Sequence, residues 1–170
     1  MKKLIFTGLA LFLVAGLATA QKFAFVDSEY ILENIPSYAA AQEELNKISE
    51  GYEAEIKAQY DEIETLYKTY QSERVLLTDD MKKKREEEIM NKEREVKELQ
   101  NKYFGPEGDL SVKQGELVKP IQDAVYKAVK EFSAEGSYAV IFDTSSGASI
   151  LYSNPRYDMS DEILKRLGYK

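Results

Sequence analysis

Apolar residues follow two different spacings along this chain, and the two spacings predict two kinds of structure. Short, nearly continuous apolar runs at 22–27 and 138–143 are typical of buried strands. A turn at 144–147 is followed by a third run at 148–152, which predicts a returning partner strand. Between the first two runs, from 37 to 102, apolar residues recur every three or four positions, which predicts helix.

The segment from 43 to 102 has the composition of a solvated helix rather than that of a globular core. It holds 29 charged residues among 60, lacks proline, and has Gly51 as its single glycine. Six glutamates precede a lysine by four positions, an orientation that stabilises a helix by about 0.2–0.5 kcal/mol per pair. We therefore predict a long helix with a narrow apolar seam. The seam residues are Leu45, Ile48, Tyr52, Ile56, Tyr60, Ile63, Tyr67 and Tyr70.

The seam is interrupted at 75–80, and the chain is expected to reverse its direction there. Thr78 or Asp79 is a good N-cap for a second helix. The apolar seam continues on that helix through Ile89, Val96, Leu99 and Tyr103. We therefore predict an antiparallel helical hairpin with its tip near residue 78 and an outgoing limb at about 36–76.

A cluster of helix-breaking residues at 104–109 interrupts the return limb. In the hairpin, Gly51 on the outgoing limb faces the neighbourhood of Pro106. Pro106 lacks an amide donor, and Gly105 and Gly108 lower the helix propensity, so regular hydrogen bonding should be interrupted. Both limbs are thus weakened at the same height, which predicts either a mobile hinge or a static kink.

Together these elements predict an α+β fold. A small β-sheet body is built from both chain ends, at 21–36 and 134–170, and a long antiparallel α-helical hairpin, a coiled-coil tentacle, occupies 37–133. The helix that follows residue 109 is expected to run to about Ser133 with a kink near Pro120. A body with so small a sheet has open edges and a marginal core, so we expect it to oligomerise.

The first twenty residues have the pattern of a secretory signal peptide. Lys2 and Lys3 precede an apolar run, and Ala18-Thr19-Ala20 supplies the small residues that a signal peptidase requires. A retained membrane anchor is the alternative. Cleavage after Ala20 would leave 150 residues, and because both lysines leave, the net charge would fall from −7 to −9. We expect the mature protein in the periplasm.

Composition argues against an enzyme and against a nucleic-acid-binding protein. The chain has no Cys and no His, which removes thiolate and imidazole nucleophiles, bases and metal ligands. Its acidic charge does not suit phosphate neutralisation. The turn Ser145-Ser146-Gly147 lacks a histidine to activate it, and Asp27 and Asp143 suit capping better than a metal site. We expect no cofactor and no metal.

The order of the elements resembles that of the Skp/OmpH family of periplasmic chaperones. The signal peptide is followed by Lys22-Phe-Ala-Phe-Val-Asp27 and then by the long charged hairpin. Matching segments toward the other end are Ile121-Gln-Asp-Ala-Val125, Tyr138-Ala-Val-Ile-Phe-Asp143, the returning run through Tyr152, and Asp161-Glu-Ile-Leu164. The resemblance covers essentially all of the mature chain, and element order carries most of its weight.

This resemblance implies a jellyfish-shaped homotrimer that works without ATP or metal. Strands near both chain ends would form a shared body, and three helical tentacles would enclose a cavity for unfolded outer-membrane proteins. The outer-membrane assembly machinery is a further candidate partner. The familiar members of the family are basic, whereas this mature chain would carry −9, which argues against lipopolysaccharide binding and against electrostatic capture of acidic clients.

Scattered apolar side chains on the hairpin are the candidate client-binding residues. A chaperone that holds many sequences needs dispersed contacts rather than one pocket, and tyrosine combines apolar area with a polar end. The candidates are Val75, Leu76, Leu77, Met81, Tyr60, Tyr67 and Tyr70. Packing of the same residues within the seam and the tip is the alternative.

One basic run lies at the tip, formed by Lys82, Lys83, Lys84 and Arg85. It could attract acidic clients or phosphate groups, or it could be a solvated helix face. Two functions therefore remain open from the sequence. One is an ATP-independent holdase for outer-membrane proteins, and the other is a structural or adaptor coiled-coil protein of the cell envelope.

Overall fold

The computed structural model describes residues 21–147 and 150–170, and the predicted signal peptide lies outside these ranges. Within them the chain forms two strands, six α-helices and a short 3₁₀ turn. In chain order these are β1 (Lys22–Val26), α1 (Ser28–Glu33), α2 (Pro36–Glu73), α3 (Asp79–Phe104), α4 (Asp109–Leu117), α5 (Lys119–Gly136), β2 (Tyr138–Asp143), the turn Pro155–Tyr157, and α6 (Ser160–Leu167). This order confirms the predicted α+β class.

The described residues divide into two compact units. One unit comprises 32–125 and contains the helices α2, α3 and α4. The other comprises 21–31, 126–147 and 150–170, and it contains both strands and α6. Sheet and hairpin thus belong to separate packing units.

The sheet consists of β1 and β2 paired in parallel. Phe23 lies opposite Val140, and Phe25 lies opposite Phe142. Parallel strands need a long crossover connection, which the whole middle of this chain supplies. Side chains alternate along β1, so that Ala24 is fully buried while Phe23 is exposed.

The predicted return strand at 148–152 is wrong for the residues that the structure describes. Residues 150–152 form no strand, and the two positions before them lie outside the described ranges. Leu151 is fully exposed, so this run finds no surface on which to pack. Apolar composition without a face to bury does not hold a strand. A later residue instead pairs with β1, since the Met159 N–H donates to the Phe25 carbonyl at 2.9 Å.

Helices α2 and α3 pack antiparallel through a continuous apolar seam, which confirms the predicted hairpin. Pro36 occupies the first turn of α2, where a missing amide donor costs nothing. Thr78 is the N-cap of α3, as predicted, and its hydroxyl accepts a hydrogen bond from the Met81 N–H. The buried residues of the seam are Ile56, Ile63, Tyr70, Ile89, Val96 and Tyr103.

Two tyrosines of the predicted seam lie outside it. Ile56, Ile63 and Tyr70 repeat every seven positions and form one buried stripe. Tyr60 and Tyr67 each lie four positions past a stripe residue, at the flank of the helix pair, and both are exposed. The prediction that they belong to the seam is therefore wrong.

The return limb is broken twice. α3 ends at Phe104 and α4 begins at Asp109, which places the first break where it was predicted. The helix predicted to run on to Ser133 is divided between α4 and α5. Pro120 accounts for this second break, because proline lacks a donor and its ring collides with the carbonyl four residues earlier. The kink predicted near Pro120 is thus confirmed.

Candidate functional site

The tip of the hairpin presents apolar side chains to solvent. Val75 and Leu76 lie in the connection between α2 and α3 and are 91% and 86% exposed. Met81, in the first turn of α3, is half exposed. Leu77 differs from these, because it is partly buried and packs against the seam. Three of the four predicted tip residues therefore form an exposed apolar group.

The tyrosines predicted as contact residues fall into two sets. Tyr60 and Tyr67 are seven residues apart, lie on the same side of α2, and are about half exposed. The Tyr60 hydroxyl lies 3.4 Å from the Gln100 side-chain oxygen across the hairpin. Tyr70 is buried, and its hydroxyl donates to Glu86, which raises the pKa of Tyr70 above its ordinary value. Tyr70 therefore joins the two limbs.

Two further exposed apolar residues lie on α3, and Met90 was not singled out from the sequence, whereas Phe104 is one of the aromatic residues that the hairpin offers. Met90 follows the buried Ile89 and points away from the seam, so it is 58% exposed. Phe104 is also exposed, and its ring meets the ring of Tyr52 edge-on. The position of Met90 directly after the seam residue Ile89 was the available signal, because neighbouring helix residues point in different directions.

The basic run at the tip is partly neutralised. Lys82 pairs with Asp79 at 3.1 Å, and Arg85 pairs with Glu88 at 3.0 Å. Lys83 and Lys84 are exposed and form no ion pair with the described residues. Two unpaired ammonium groups thus accompany the exposed apolar group of the tip.

The break at 105–108 requires its glycines for steric reasons. A Cβ on Gly105 would lie 2.3 Å from the Asn101 carbonyl oxygen, and one on Gly108 would lie 2.8 Å from two backbone oxygens. Gly51 is different, because it lies within the continuous helix α2 and a Cβ there would meet nothing within 4 Å. Only the return limb is interrupted at this height.

An aromatic pair closes the hairpin beside the break. The rings of Tyr52 and Tyr103 stack with centroids 3.9 Å apart. The Tyr103 hydroxyl donates to Glu55 at 2.7 Å, and this bond together with burial raises the pKa of Tyr103 to about 12. Below this level a separate core forms from Ala41, Leu45 and Val118. The hairpin unit therefore contains two separate apolar clusters, one along the seam and one formed with Val118.

Replacing Gly51 with alanine tests whether the hairpin bends at the height of Gly51 and the break at 105–108. We expect Gly51→Ala to stabilise α2 by about 1 kcal/mol, because alanine is the better helix former and the site is open. If residues around Gly51 open locally, amide hydrogen exchange there should also slow. Gly115→Ala, at an equally open position in α4, is the matched control and should leave exchange around Gly51 unchanged. Exchange that is equally slow before and after the change would contradict a hinge.

The sheet of the other unit presents an apolar face. The rings of Phe25 and Phe142 stack at 5.6 Å, and Phe23 stacks on Tyr157 at 5.3 Å. Val140 lies opposite Phe23 in the register. All of these side chains except the half-buried Phe25 are exposed. Such a contiguous apolar patch is typical of an interaction surface.

Asp143 joins the end of β2 to the start of α1. Its carboxylate accepts hydrogen bonds from the Ser28 N–H at 3.2 Å and from the Ser28 hydroxyl at 2.7 Å. The Ser145 N–H and hydroxyl add bonds of 3.1 and 2.8 Å. Partial burial raises the pKa of Asp143, but these hydrogen bonds together outweigh it, and the pKa lies below its ordinary value of 3.8. The predicted capping role of Asp143 is confirmed.

The low pKa of Asp143 makes the sheet unit sensitive to acid. Because the folded pKa lies below 3.8, the stabilisation is complete above that pH and is lost as the pH falls through the folded pKa. We expect Asp143→Asn to cost about 1 kcal/mol at neutral pH and to differ progressively less from the wild type in acid. Thermal unfolding followed by circular dichroism across this range checks it. Parallel curves for the two proteins would contradict the assignment.

The described residues contain neither a membrane-spanning helix nor a metal-binding group. No helix in 21–147 or 150–170 is long and apolar enough to cross a bilayer. Within the same ranges, no three acidic side chains come together in a way that could hold a metal ion. The features that remain are the exposed apolar tip, the flanking tyrosines and the apolar sheet face.

Comparison with known proteins gives consistent matches. The profile of a family described as "Outer membrane protein (OmpH-like)" matches residues 22–167. A protein of Aquifex aeolicus (strain VF5), described only as uncharacterized, is 32% identical over 155 residues, which cover 91% of each chain. The crystal structure of "a putative outer membrane chaperone (OmpH-like)" from Caulobacter crescentus CB15 superposes with a TM-score of 0.67 at 11% identity. It covers 88% of this chain and 85% of that chain, and it shows the shared fold.

The described residues form a long helical hairpin and a parallel sheet that draws one strand from each end of the chain, which is the fold shared with the OmpH-like structure. The family match makes the assignment specific. The chain belongs to the OmpH-like, or Skp, family of outer membrane protein chaperones, which is periplasmic and non-enzymatic. The resemblance seen in the sequence is thereby confirmed.

Proposed function

We propose that this protein is an ATP-independent holdase that keeps unfolded outer-membrane proteins from aggregating in the periplasm. The observation that carries the proposal is the exposed apolar tip of Val75, Leu76 and Met81. Apolar side chains that stay exposed at the end of a charged hairpin do not stabilise its fold. They can bind apolar segments of another chain, because the contact removes both apolar surfaces from water. Tyr60 and Tyr67 extend this surface along α2.

In this proposal some residues of the hairpin contact the client, and others hold the two helices together. Tyr70 and Leu77, both among the predicted contacts, are packed in the seam and hold the limbs together. Met90 and Phe104 join the contact set because of their exposure. Weak contacts spread over one helix pair suit a holdase, since each can be broken by thermal motion and no fuel is required for release.

We further propose that the protein acts as a homotrimer. The apolar sheet face would be covered by further copies of the same chain, with 21–36 and 134–170 as the oligomerisation body. The arms at 37–133 would then surround a cavity for the client. A hinge at the level of Gly51 and Gly105–Gly108 would let the cavity fit clients of different size.

The charge of the tip and the net charge of the chain favour different partners. Lys83 and Lys84 offer unpaired positive charge to acidic clients or to the outer-membrane assembly machinery. The net charge of −9 after leader removal works against lipopolysaccharide, whose phosphates would be repelled by the rest of the chain. We expect binding of unfolded polypeptide to outweigh binding of lipopolysaccharide.

A light-scattering assay tests the holdase function. A denatured outer-membrane β-barrel protein is diluted into buffer with and without this protein at the stoichiometry of one trimer per client. Suppressed scattering in the absence of ATP is the expected result. No suppression would contradict the holdase and favour an adaptor of the cell envelope, which binds one folded partner. A folded acidic protein of similar size serves as the control additive for non-specific charge effects.

A further inference from the structure

We infer that the mature chain carries a pyroglutamate at its amino terminus, formed by cyclisation of Gln21. The inference rests on one part of the proposed function, the removal of residues 1–20, and on no property of the client site. Cleavage after Ala20 makes Gln21 the first residue of the mature chain. Glutamine at that position carries an electrophile and a nucleophile within the same residue.

The reaction is internal and needs no co-reactant. The α-amine of Gln21 attacks the carbonyl carbon of its own side-chain amide, and a new C–N bond closes a five-membered lactam. The bond between that carbon and the amide nitrogen breaks, and the nitrogen leaves as ammonia with a proton from the attacking amine. The pKa of an α-amine is about 8, so a fraction of it is unprotonated and nucleophilic at neutral pH.

The structure leaves Gln21 free to react. The residue is exposed and lies outside β1, whose first paired residue is Lys22. No hydrogen bond to another described residue holds the Gln21 side chain. The side chain can therefore fold back on the α-amine without disrupting the sheet.

The closeness of the terminus to β1 gives the modification a consequence. β1 begins one residue after Gln21 and buries Ala24 and Val26. Lys22 also anchors the strand, since its ammonium group lies 3.1 Å from the Gly136 carbonyl oxygen. An aminopeptidase that removed two or three residues would thus remove part of the sheet. A lactam offers no free amine to such an enzyme, and it removes the terminal charge.

Mass spectrometry of the secreted protein tests the inference. The full chain is expressed with its own leader, and the mature protein is purified from the secreting host. The expected mass is lower by one ammonia than that of a chain that starts with an open Gln21. Stepwise amino-terminal degradation should be blocked, and treatment with pyroglutamyl aminopeptidase should restore it, with Lys22 read first. A free Gln21 amine, or a first residue other than 21, would overturn the inference. The scattering assay on the same sample reports holdase activity separately.

Gln21→Asn is the matched control. Asparagine keeps the amide but would have to close a strained four-membered ring, so its α-amine stays free. A broad-specificity aminopeptidase should shorten Gln21→Asn and leave the wild type intact over the same time. Equal shortening of the two mature proteins would show that the wild-type terminus is not blocked and would overturn the inference.

Discussion

Replacing Val75, Leu76 and Met81 together with serine is expected to weaken client holding by about tenfold or more. Burying one large apolar side chain contributes about 1.5–3 kcal/mol, and about 1.4 kcal/mol corresponds to a factor of ten in affinity. Because all three side chains are exposed, their loss should leave the seam and the helicity unchanged. The measurement is the concentration of protein that halves the scattering of a denatured outer-membrane protein, together with circular dichroism.

A matched control separates the tip from apolar exposure in general. Val112 and Tyr126 are 52% and 70% exposed and belong to neither the tip nor the proposed contact set. The double variant Val112→Ser, Tyr126→Ser should therefore lose much less holding than the triple variant. Unchanged holding in the triple variant, with intact helicity, would place the client contacts elsewhere on the chain.

Val140→Glu is expected to dissociate the oligomer. Val140 lies on the apolar face of the sheet, and in the proposed trimer each copy would bury one such charge in an apolar interface. A buried, unpaired carboxylate costs several kcal/mol, and the cost is repeated in every copy. The mass in solution, from light scattering or sedimentation, should fall from that of a trimer to that of a monomer.

The control for this prediction is the same substitution in the other unit. Val112 in α4 is exposed to a similar degree as Val140, so Val112→Glu introduces the same charge outside the sheet face. It should leave the mass unchanged. A wild-type protein that is already monomeric would contradict the trimer, and a Val140→Glu variant that remains trimeric would exclude this face as the interface.

The helical hairpin could be predicted because its signals are local. The Glu–Lys spacing, the cap at Thr78 and the glycines near Pro106 act through residues within one or two turns of each other. The tip near residue 78 and the break before Asp109 therefore appear where they were expected. The return strand predicted at 148–152 does not form over its described residues, 150–152, for the opposite reason, since a strand needs a neighbour and a face that only the assembled sheet provides.

The exposed apolar surface of the hairpin was predicted only in outline. The sequence identified the apolar tip, but it could not separate Leu77, which packs on the seam, from Leu76, which is exposed. The same limit applies to Tyr60 and Tyr70, which both fit a spacing of three or four. A helix period near 3.6 leaves the seam position uncertain by one residue until the partner helix fixes it.

The sequence by itself determined the class of fold, the family and the course of the hairpin, because element order and helix signals are properties of neighbouring residues. The tertiary structure alone decided which tyrosines are buried, which strand pairs with β1, and which apolar side chains stay exposed at the tip and on the sheet. These features depend on contacts between residues far apart in the chain, and such contacts exist only once the elements have packed.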